Sequence, residues 1–449
     1  MTKTLTKKDY FTIGSMLFGI LFGAGNLIFP VHMGQEAGAN VWQAVLGFLV
    51  SAIGLPFLAI VGMAFTRSRS VYELASRVGH RFGVFFTVLL YLVIGPFFAI
   101  PRLASTSFQI GLVPFVGEGN AVALAVYSVF FFASAWIMSR KATKLLDYVG
   151  KYLNPAFLVV LGILLIMVVV NPMGASSQAM VQEAYQSNAF ATGVLEGYNT
   201  LDVLAALAFA ILVISALKNL GVKEPSQIAT DMVKSGVISM VLMGLIYGLL
   251  AYAGATSLGQ FALSENGGVA LAQIAGHYLG TAGSILLALI VFLGCLKTAV
   301  GLLTAFSETF AEMFPSVSYS AFLALTTIFP MIFANVGLTN IIAYSIPVLM
   351  FIYPLAIALV LLALLEKWVK GNAAVYRWTV YLTLLPAIVD GLASSPWSTN
   401  PVVSSIVSLA HGVLPFSAIG MGWIVPTLVG LVIGFLWPVS VEPLPNKKS

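Results

Sequence analysis

Twelve apolar runs, each about the length of a membrane crossing, dominate the sequence and leave little choice of fold. They fall at 11–31, 41–65, 84–110, 121–138, 153–170, 194–217, 235–256, 281–306, 318–335, 340–365, 377–394 and 420–438. A helix needs about 20 such residues to cross the hydrocarbon core of a bilayer. Only 8% of the residues are charged, against roughly 25% in a soluble domain, and so few cannot clothe a surface that faces water. The runs predict an all-α membrane protein of 12 transmembrane helices, a single domain over 1–449 with the lipid bilayer as its solvent. They exclude a soluble α/β enzyme.

An even number of crossings puts both termini on one side, and the basic residues agree. All of the 21 Lys and Arg residues except Arg102 and Lys297 lie in 3–8, 67–81, 140–151, 218–234, 367–377 and 447–448, connections that share one face. The positive-inside rule assigns that face to the cytoplasm, so a multi-pass protein of the bacterial cytoplasmic membrane with both termini inside is expected. The basic segment 1–10 leads into an apolar run without a small-residue cleavage site. It reads as the start of the first span and not as a removed signal peptide. The net charge of +5 therefore sits in connections that set orientation, and no nucleic-acid partner is called for. Cys295 is the only cysteine, which rules out an internal disulfide and a cysteine metal site.

Two runs carry interruptions. The first holds Phe22-Gly23-Ala24-Gly25-Asn26 near its middle; the sixth opens with Glu196, Gly197, Asn199 and Asp202. Five spans lie from one to the other, and five is odd, so a second five-helix unit (194–365) is inverted relative to the first (11–170). Helices 377–438 are then two additions to this 5+5 inverted repeat. Interrupted helices at matching positions of inverted halves mark a transporter's binding site. Opening a helix in mid-membrane frees amides on one side of the break, which suit a carboxylate. It frees carbonyls on the other side, which suit a cation or an ammonium. Gly23 and Gly25 allow close approach of a ligand to the backbone, and Asn26 adds an amide that can donate or accept. Packing of Gly19 and Gly23 against a neighbouring helix is the plainer alternative, but it leaves the run Gly-Ala-Gly-Asn before Pro30 unexplained. The connection 257–280, with Gly267, Gly268, Gly276 and Gly280, is expected to form a short re-entrant or surface hairpin.

Three runs resemble the branched-chain amino acid:cation symporter family: Phe22-Gly-Ala-Gly-Asn-Leu-Ile-Phe-Pro30, Ile94-Gly-Pro-Phe-Phe-Ala-Ile-Pro-Arg102 and Gly294-Cys-Leu-Lys-Thr-Ala-Val-Gly-Leu302. The resemblance extends over nearly the whole chain. It implies symport of leucine, isoleucine and valine with Na⁺ or H⁺, and the inverted-repeat fold of the bacterial leucine transporter. It places substrate at Gly23, Ala24, Gly25 and Asn26 of span one and at an unwound Leu207-Ala208-Phe209-Ala210 in span six, with Phe209 facing the aliphatic side chain. It also places a cation at the carbonyls of Gly19 and Phe22 and at Lys297 and Thr298 of span eight. Lys297 departs from the hydroxyl residue expected there, so its ammonium is expected to replace or modulate one Na⁺ site; snorkelling to the interface is the alternative.

Arg102 reads either as half of an outer gate with Asp202 or Glu196, or as a structural anchor. The four histidines show no metal-ligand spacing, and no phosphate-binding loop appears, so neither a metal nor ATP chemistry is expected. No cofactor is called for beyond the coupling ion. A carrier for another neutral amino acid or small nutrient is the alternative function. A membrane-embedded enzyme would need a facing acid–base or metal set, and the spans contain none.

Overall fold

The structure, a computed structural model, describes residues 5–437 except Ala24, 141–144 and 223. The substrate assignment of Ala24, and the basic residues Lys3, Lys141, Lys144, Lys223, Lys447 and Lys448, lie outside the described residues. Every regular element among the described residues is helical.

The first apolar run is two helices. Thr6 caps α1 (Lys7–Leu21) in a capping box with Asp9, each backbone N–H donating to the other's side chain. The helix stops because Phe22 is extended, at φ −88° and ψ 103°. Helix α2 (Gly25–Ala37) starts three residues later. The break therefore opens at Phe22 and Gly23, whereas Gly25 and Asn26 already belong to the second helix. Pro30, inside α2, has no N–H to donate to the Asn26 carbonyl four residues back, so the interruption of the backbone ladder continues into α2.

After a left-handed Gly38, α3 (Val41–Leu49) runs through a π-turn, Val50–Gly54, into α4 (Leu55–Thr66). The third run is also kinked. Helix α5 (His80–Leu92) passes through the π-turn Val93–Phe97 into α6 (Ala99–Gly111). Gly95 there leaves helical geometry at φ −98°, ψ −118°, and Pro96 withholds a donor. Helices α7 (Ala121–Ser139) and α8 (Leu145–Val170) follow.

The sixth run begins as α9 (Ala189–Glu196) and tightens into a 3₁₀ turn, Gly197–Thr200. Leu201 then turns left-handed, at φ 65°, before α10 (Asp202–Asn219). Helix α10 bends by 42° between Asp202–Ala210 and Leu212–Asn219. Helix α11 (Pro225–Ser257) precedes α12 (Gly267–Met313), which at 47 residues is the longest described helix. The glycine-rich stretch expected to be a hairpin is the start of α12, because Asn266 accepts from the Gly268 and Val269 amides and so caps it. A kink at Gly280, φ 60°, sets that first part at an angle to the rest. Helices α13 (Tyr319–Phe333), α14 (Leu338–Leu364) and α15 (Ala373–Ala393) follow, and, after a short helix over Pro401–Val413, α16 (Ile424–Leu436).

Among the described residues, seven helical stretches are long and apolar enough to cross a membrane, or eight counting the bent α10. This is fewer than the runs in the sequence for physical reasons. The broken first run gives no single long helix, α2 through α4 are continuous over Gly25–Thr66, and α16 has only 13 residues. Large apolar side chains cover the outer faces: Val122, Val126 and Phe130 on α7, and Ile163, Ile166 and Val170 on α8, are all exposed. Such a surface is rare on a soluble monomer and fits contact with lipid.

Inside, helices meet through glycine. A Cβ at Gly34 of α2 would overlap the Ala251 carbonyl of α11, and one at Gly254 of α11 would overlap the Val31 carbonyl of α2. Gly47 of α3 and Gly193 of α9 abut each other's helices in the same way. Small residues at such crossings let backbones touch, which is how apolar helices gain contact energy where no hydrophobic effect separates them from lipid.

At one end, the connection after α4 is clamped to the start of α15. Arg77 pairs with Glu366 at 2.8 Å and donates to the Thr66 carbonyl at 2.6 Å, while Arg377 donates to the Val78 carbonyl at 3.0 Å. Arg77→Met is expected to cost about 1–3 kcal/mol, as breaking a part-buried pair leaves Glu366 unmatched. A lowered apparent melting temperature in detergent checks it; an unchanged one would show the clamp to be idle.

Candidate functional site

The two breaks face each other. Asn26, 1% exposed, joins them. Its Oδ1 accepts from the Gly23 amide at 2.7 Å, which ties off the loose end of the first break. Its Nδ2 donates to Asp202 Oδ2 at 2.6 Å, across to the start of α10, and to the Tyr247 hydroxyl of α11. Asp202 stands there because Leu201 reverses the chain in the left-handed region, a conformation that a leucine holds only where the surroundings impose it.

A cavity of about 70 Å³ lies between the breaks. A water takes about 10–15 Å³ of such volume, so roughly five fit. Four spans line it. Gly23, Gly25 and Asn26 come from span one, Ile94, Ala99, Arg102 and Leu103 from span three, Thr200, Leu201, Asp202, Ala205 and Phe209 from span six, and Thr298 and Leu302 from span eight. Polar groups therefore gather at the breaks and at Arg102, while Phe209, Leu302, Leu103 and Ile94 supply an apolar wall. A few placed polar groups in a mostly apolar concavity are the usual make-up of a small-ligand site.

Arg102 is 3% exposed. Its Nη1 donates to the Asn199 carbonyl and its Nη2 to Ser345 Oγ at 2.9 Å, and its guanidinium lies 5.0 Å from the centre of the Phe29 ring. The arginine thus ties α6 to the 3₁₀ turn, α14 and α2. This corrects the expected gate: among the described residues Arg102 forms an ion pair with neither Asp202 nor Glu196. Glu196 instead accepts from Asn199 Nδ2 at 3.2 Å. Behind the turn, Tyr198 stacks on Tyr353 of α14, ring centres 4.1 Å apart.

The second correction concerns span six. Leu207-Ala208-Phe209-Ala210 is helical, and the non-helical residue is Leu201, six positions earlier. Phe209 still reaches the cavity, one turn beyond Ala205; Ala208 is half-buried beside it and does not line it. Gly19 lies in the last turn of α1, and Phe22 stacks on Phe18 at 4.8 Å; neither is part of the lining. Thr298 is, with its hydroxyl donating to the Gly294 carbonyl at 3.1 Å, while Lys297 is half-buried and outside the lining. Sequence reading missed Thr200, Leu201, Tyr247 and Ser345. A tyrosine or serine in an apolar run carries no signal of its partner, and nothing in a leucine announces a left-handed turn.

Comparison with known proteins follows the same line. Residues 6–440 match the profile of the family described as branched-chain amino acid transport protein. A branched-chain amino acid permease BrnQ of Lactobacillus delbrueckii subsp. lactis is 44% identical over 432 residues, covering 96% of each chain. BrnQ of Bacillus subtilis is 40% identical over 97% of this chain and 98% of its own. Among solved structures, Mhp1, a nucleobase-cation-symport-1 family transporter in a closed conformation, aligns with a TM-score of 0.61 at 11% identity, over 95% of this chain and 91% of that one. MhsT in complex with L-phenylalanine aligns with a TM-score of 0.54 at 14% identity, over 97% of this chain and 99% of that one. At such identities these two likenesses speak for the fold alone. The all-helical architecture is that of these transporters, and the chain belongs to the branched-chain amino acid transport protein family, a family of permeases and not of enzymes.

Proposed function

We propose that this protein is a secondary active symporter that imports leucine, isoleucine and valine with Na⁺ or H⁺ by alternating access, binding its substrate between the breaks of spans one and six. The observation that carries this reading is the small cavity flanked by both breaks, polar at the breaks and apolar opposite. The names of the relatives support the substrate class.

The reading includes twelve spans, of which 11–170 and 194–365 are the inverted five-helix repeats and 377–438 two additions. It sets both termini in the cytoplasm of a bacterium. Gly23, Ala24, Gly25 and Asn26 meet the polar end of the substrate, and Phe209, with Ala208 behind it, meets the side chain. The coupling cation sits at the carbonyl end of α1, at Gly19 and Phe22, with the Thr298 hydroxyl. Lys297, the residue before Thr298, modulates that site through its own proton.

Counterflow of labelled leucine in proteoliposomes, with Na⁺ and pH gradients imposed separately, tests the whole reading. Leucine uptake that isoleucine and valine compete for, and that one gradient drives, is the expected result; no saturable leucine uptake overturns it. Phe209→Ala is expected to raise the KM for leucine about tenfold with little change in kcat, the scale for losing an apolar wall contact. Lys297→Thr is expected to change the Na⁺ or pH dependence of uptake while the KM at saturating cation stays within about threefold. Unaltered dependence on both ions would remove Lys297 from the coupling reading.

A further inference from the structure

Arg102 and Asp202 both line the cavity, and they do not pair with each other. Arg102 is 3% exposed and Asp202 4%. The two ion pairs formed among the described residues, His32 with Glu36 and Arg77 with Glu366, involve neither. The hydrogen bonds each of them makes are to neutral partners. Arg102 donates to the Asn199 carbonyl and to Ser345, and its Nε–H has no hydrogen-bond partner. Asp202 accepts from Asn26. Glu196, the other nearby acid, is taken up by the Asn199 amide that stands between it and the arginine.

Neutral partners fix the orientation of a charged group without cancelling its charge. A charge buried without a counter-charge is among the costliest arrangements a protein can hold, and in a membrane span it marks a functional site. Here two ionisable groups of opposite type stand at one small cavity without a direct ion-pair partner, so a ligand that brings both charges can pair with each. A net anion or a net cation would satisfy one group and leave the other stranded.

We infer that Arg102 and Asp202 are the two poles of the substrate site, the guanidinium receiving the α-carboxylate and the Asp202 carboxylate receiving the α-ammonium. The inference rests on the transport reading above and deepens it. The charges of the ligand are met by side chains of spans three and six, and the exposed peptide groups of the breaks assist. The site then selects α-amino acid zwitterions and rejects molecules that carry only one of the two charges, whatever their side chain. The apolar wall of Phe209 and Leu302 lies beside this axis and reads the side chain separately.

Half-molecules of leucine test the assignment. 3-Methylbutylamine keeps the ammonium and lacks the carboxylate; 4-methylpentanoate keeps the carboxylate and lacks the ammonium. Inhibition constants against labelled leucine counterflow are measured for leucine and both half-molecules in the wild type, Arg102→Gln and Asp202→Asn. Arg102→Gln is expected to weaken leucine and 4-methylpentanoate about a hundredfold, as losing one side of a buried charge pair does, while 3-methylbutylamine changes less than about threefold. Asp202→Asn is expected to give the mirror pattern, weakening leucine and the amine and sparing the acid. Such crossed selectivity is a double-mutant cycle between protein and ligand, and a misfolded variant, which weakens every ligand alike, cannot produce it.

Parallel losses for both half-molecules in either variant overturn the inference. So does an Asp202→Asn protein that binds leucine normally and has lost only its response to a pH gradient, because Asp202 then carries the proton and not the substrate. Where Arg102→Gln yields no folded protein, Arg102→Lys keeps the charge and loses the planar fork; a smaller loss confined to leucine and 4-methylpentanoate supports the pole, and unchanged constants overturn it. A wild type that fails to exchange leucine at all sinks the transport reading itself, before any variant is compared.

Discussion

Asn26→Ala is expected to cut gradient-driven leucine uptake by about a hundredfold or more in a protein that still folds. The amide of Asn26 hydrogen-bonds to both breaks. It accepts from the Gly23 N–H at 2.7 Å and donates to Asp202 at 2.6 Å and to the Tyr247 hydroxyl. Removing it leaves an unsatisfied amide at the first break and takes a donor from a buried carboxylate at the second. A hydrogen bond to a charged group contributes about 1.5–3 kcal/mol, and an orphaned buried amide costs about 1–3 kcal/mol. Their sum, a few kcal/mol, is spent where the cavity takes its shape, because Gly23 and Asp202 both line it. Asn26→Asp should fare no better, since it sets a second carboxylate against Asp202. Counterflow rates normalised to reconstituted protein decide the matter, and an Asn26→Ala protein within about threefold of wild type would refute this account of the breaks.

The second large effect is on stability. Gly254→Val is expected to leave little monodisperse protein after extraction, with a cost above about 3 kcal/mol. A side chain there has to displace the Val31 carbonyl, which is main chain and cannot rotate aside, and the neighbouring Gly34–Ala251 contact denies the helices room to separate. The control is Gly162→Ala on α8, where a Cβ meets nothing within 4 Å. Exchanging an unhindered helical glycine for alanine is favourable by up to about 1 kcal/mol, so this variant is expected to melt at or above the wild-type temperature. If both glycines tolerate substitution equally, close packing at the crossing of α2 and α11 is not what holds them.

Much of this was legible in the residues, and what escaped did so for definable reasons. The helices announced themselves because lipid demands long apolar runs. The break in span one was readable because glycine and asparagine carry local conformational meaning. Its counterpart was only half readable. The cluster from Glu196 to Asp202 marked the right stretch, whereas the family resemblance pointed to 207–210, and the true reversal sits on Leu201, which no local preference favours. Arg102 was visible as an anomaly, but its partners were not. Charge complementarity suggested Asp202 or Glu196; the structure uses a backbone carbonyl and a serine. The glycines at 267–280 suggested a hairpin because their count spoke louder than the single Asn266 cap that starts a helix there.

Helix α11 has one more consequence. It lies along both halves of the fractured span one. Gly14 of α1 rests against the Ser235 carbonyl, Tyr10 of α1 donates to Asp231 at 2.8 Å, and farther along the same helix the glycine crossing grips α2. A continuous rod bound on either side of a fracture acts as a splint. The gap between α1 and α2 is therefore poorly placed to serve as a joint, since flexing there would tear contacts on one side of it or the other. Span one and its splint are held as one stiff unit, and the start of α12 joins it, with Gly267 set against the Ile28 carbonyl of α2.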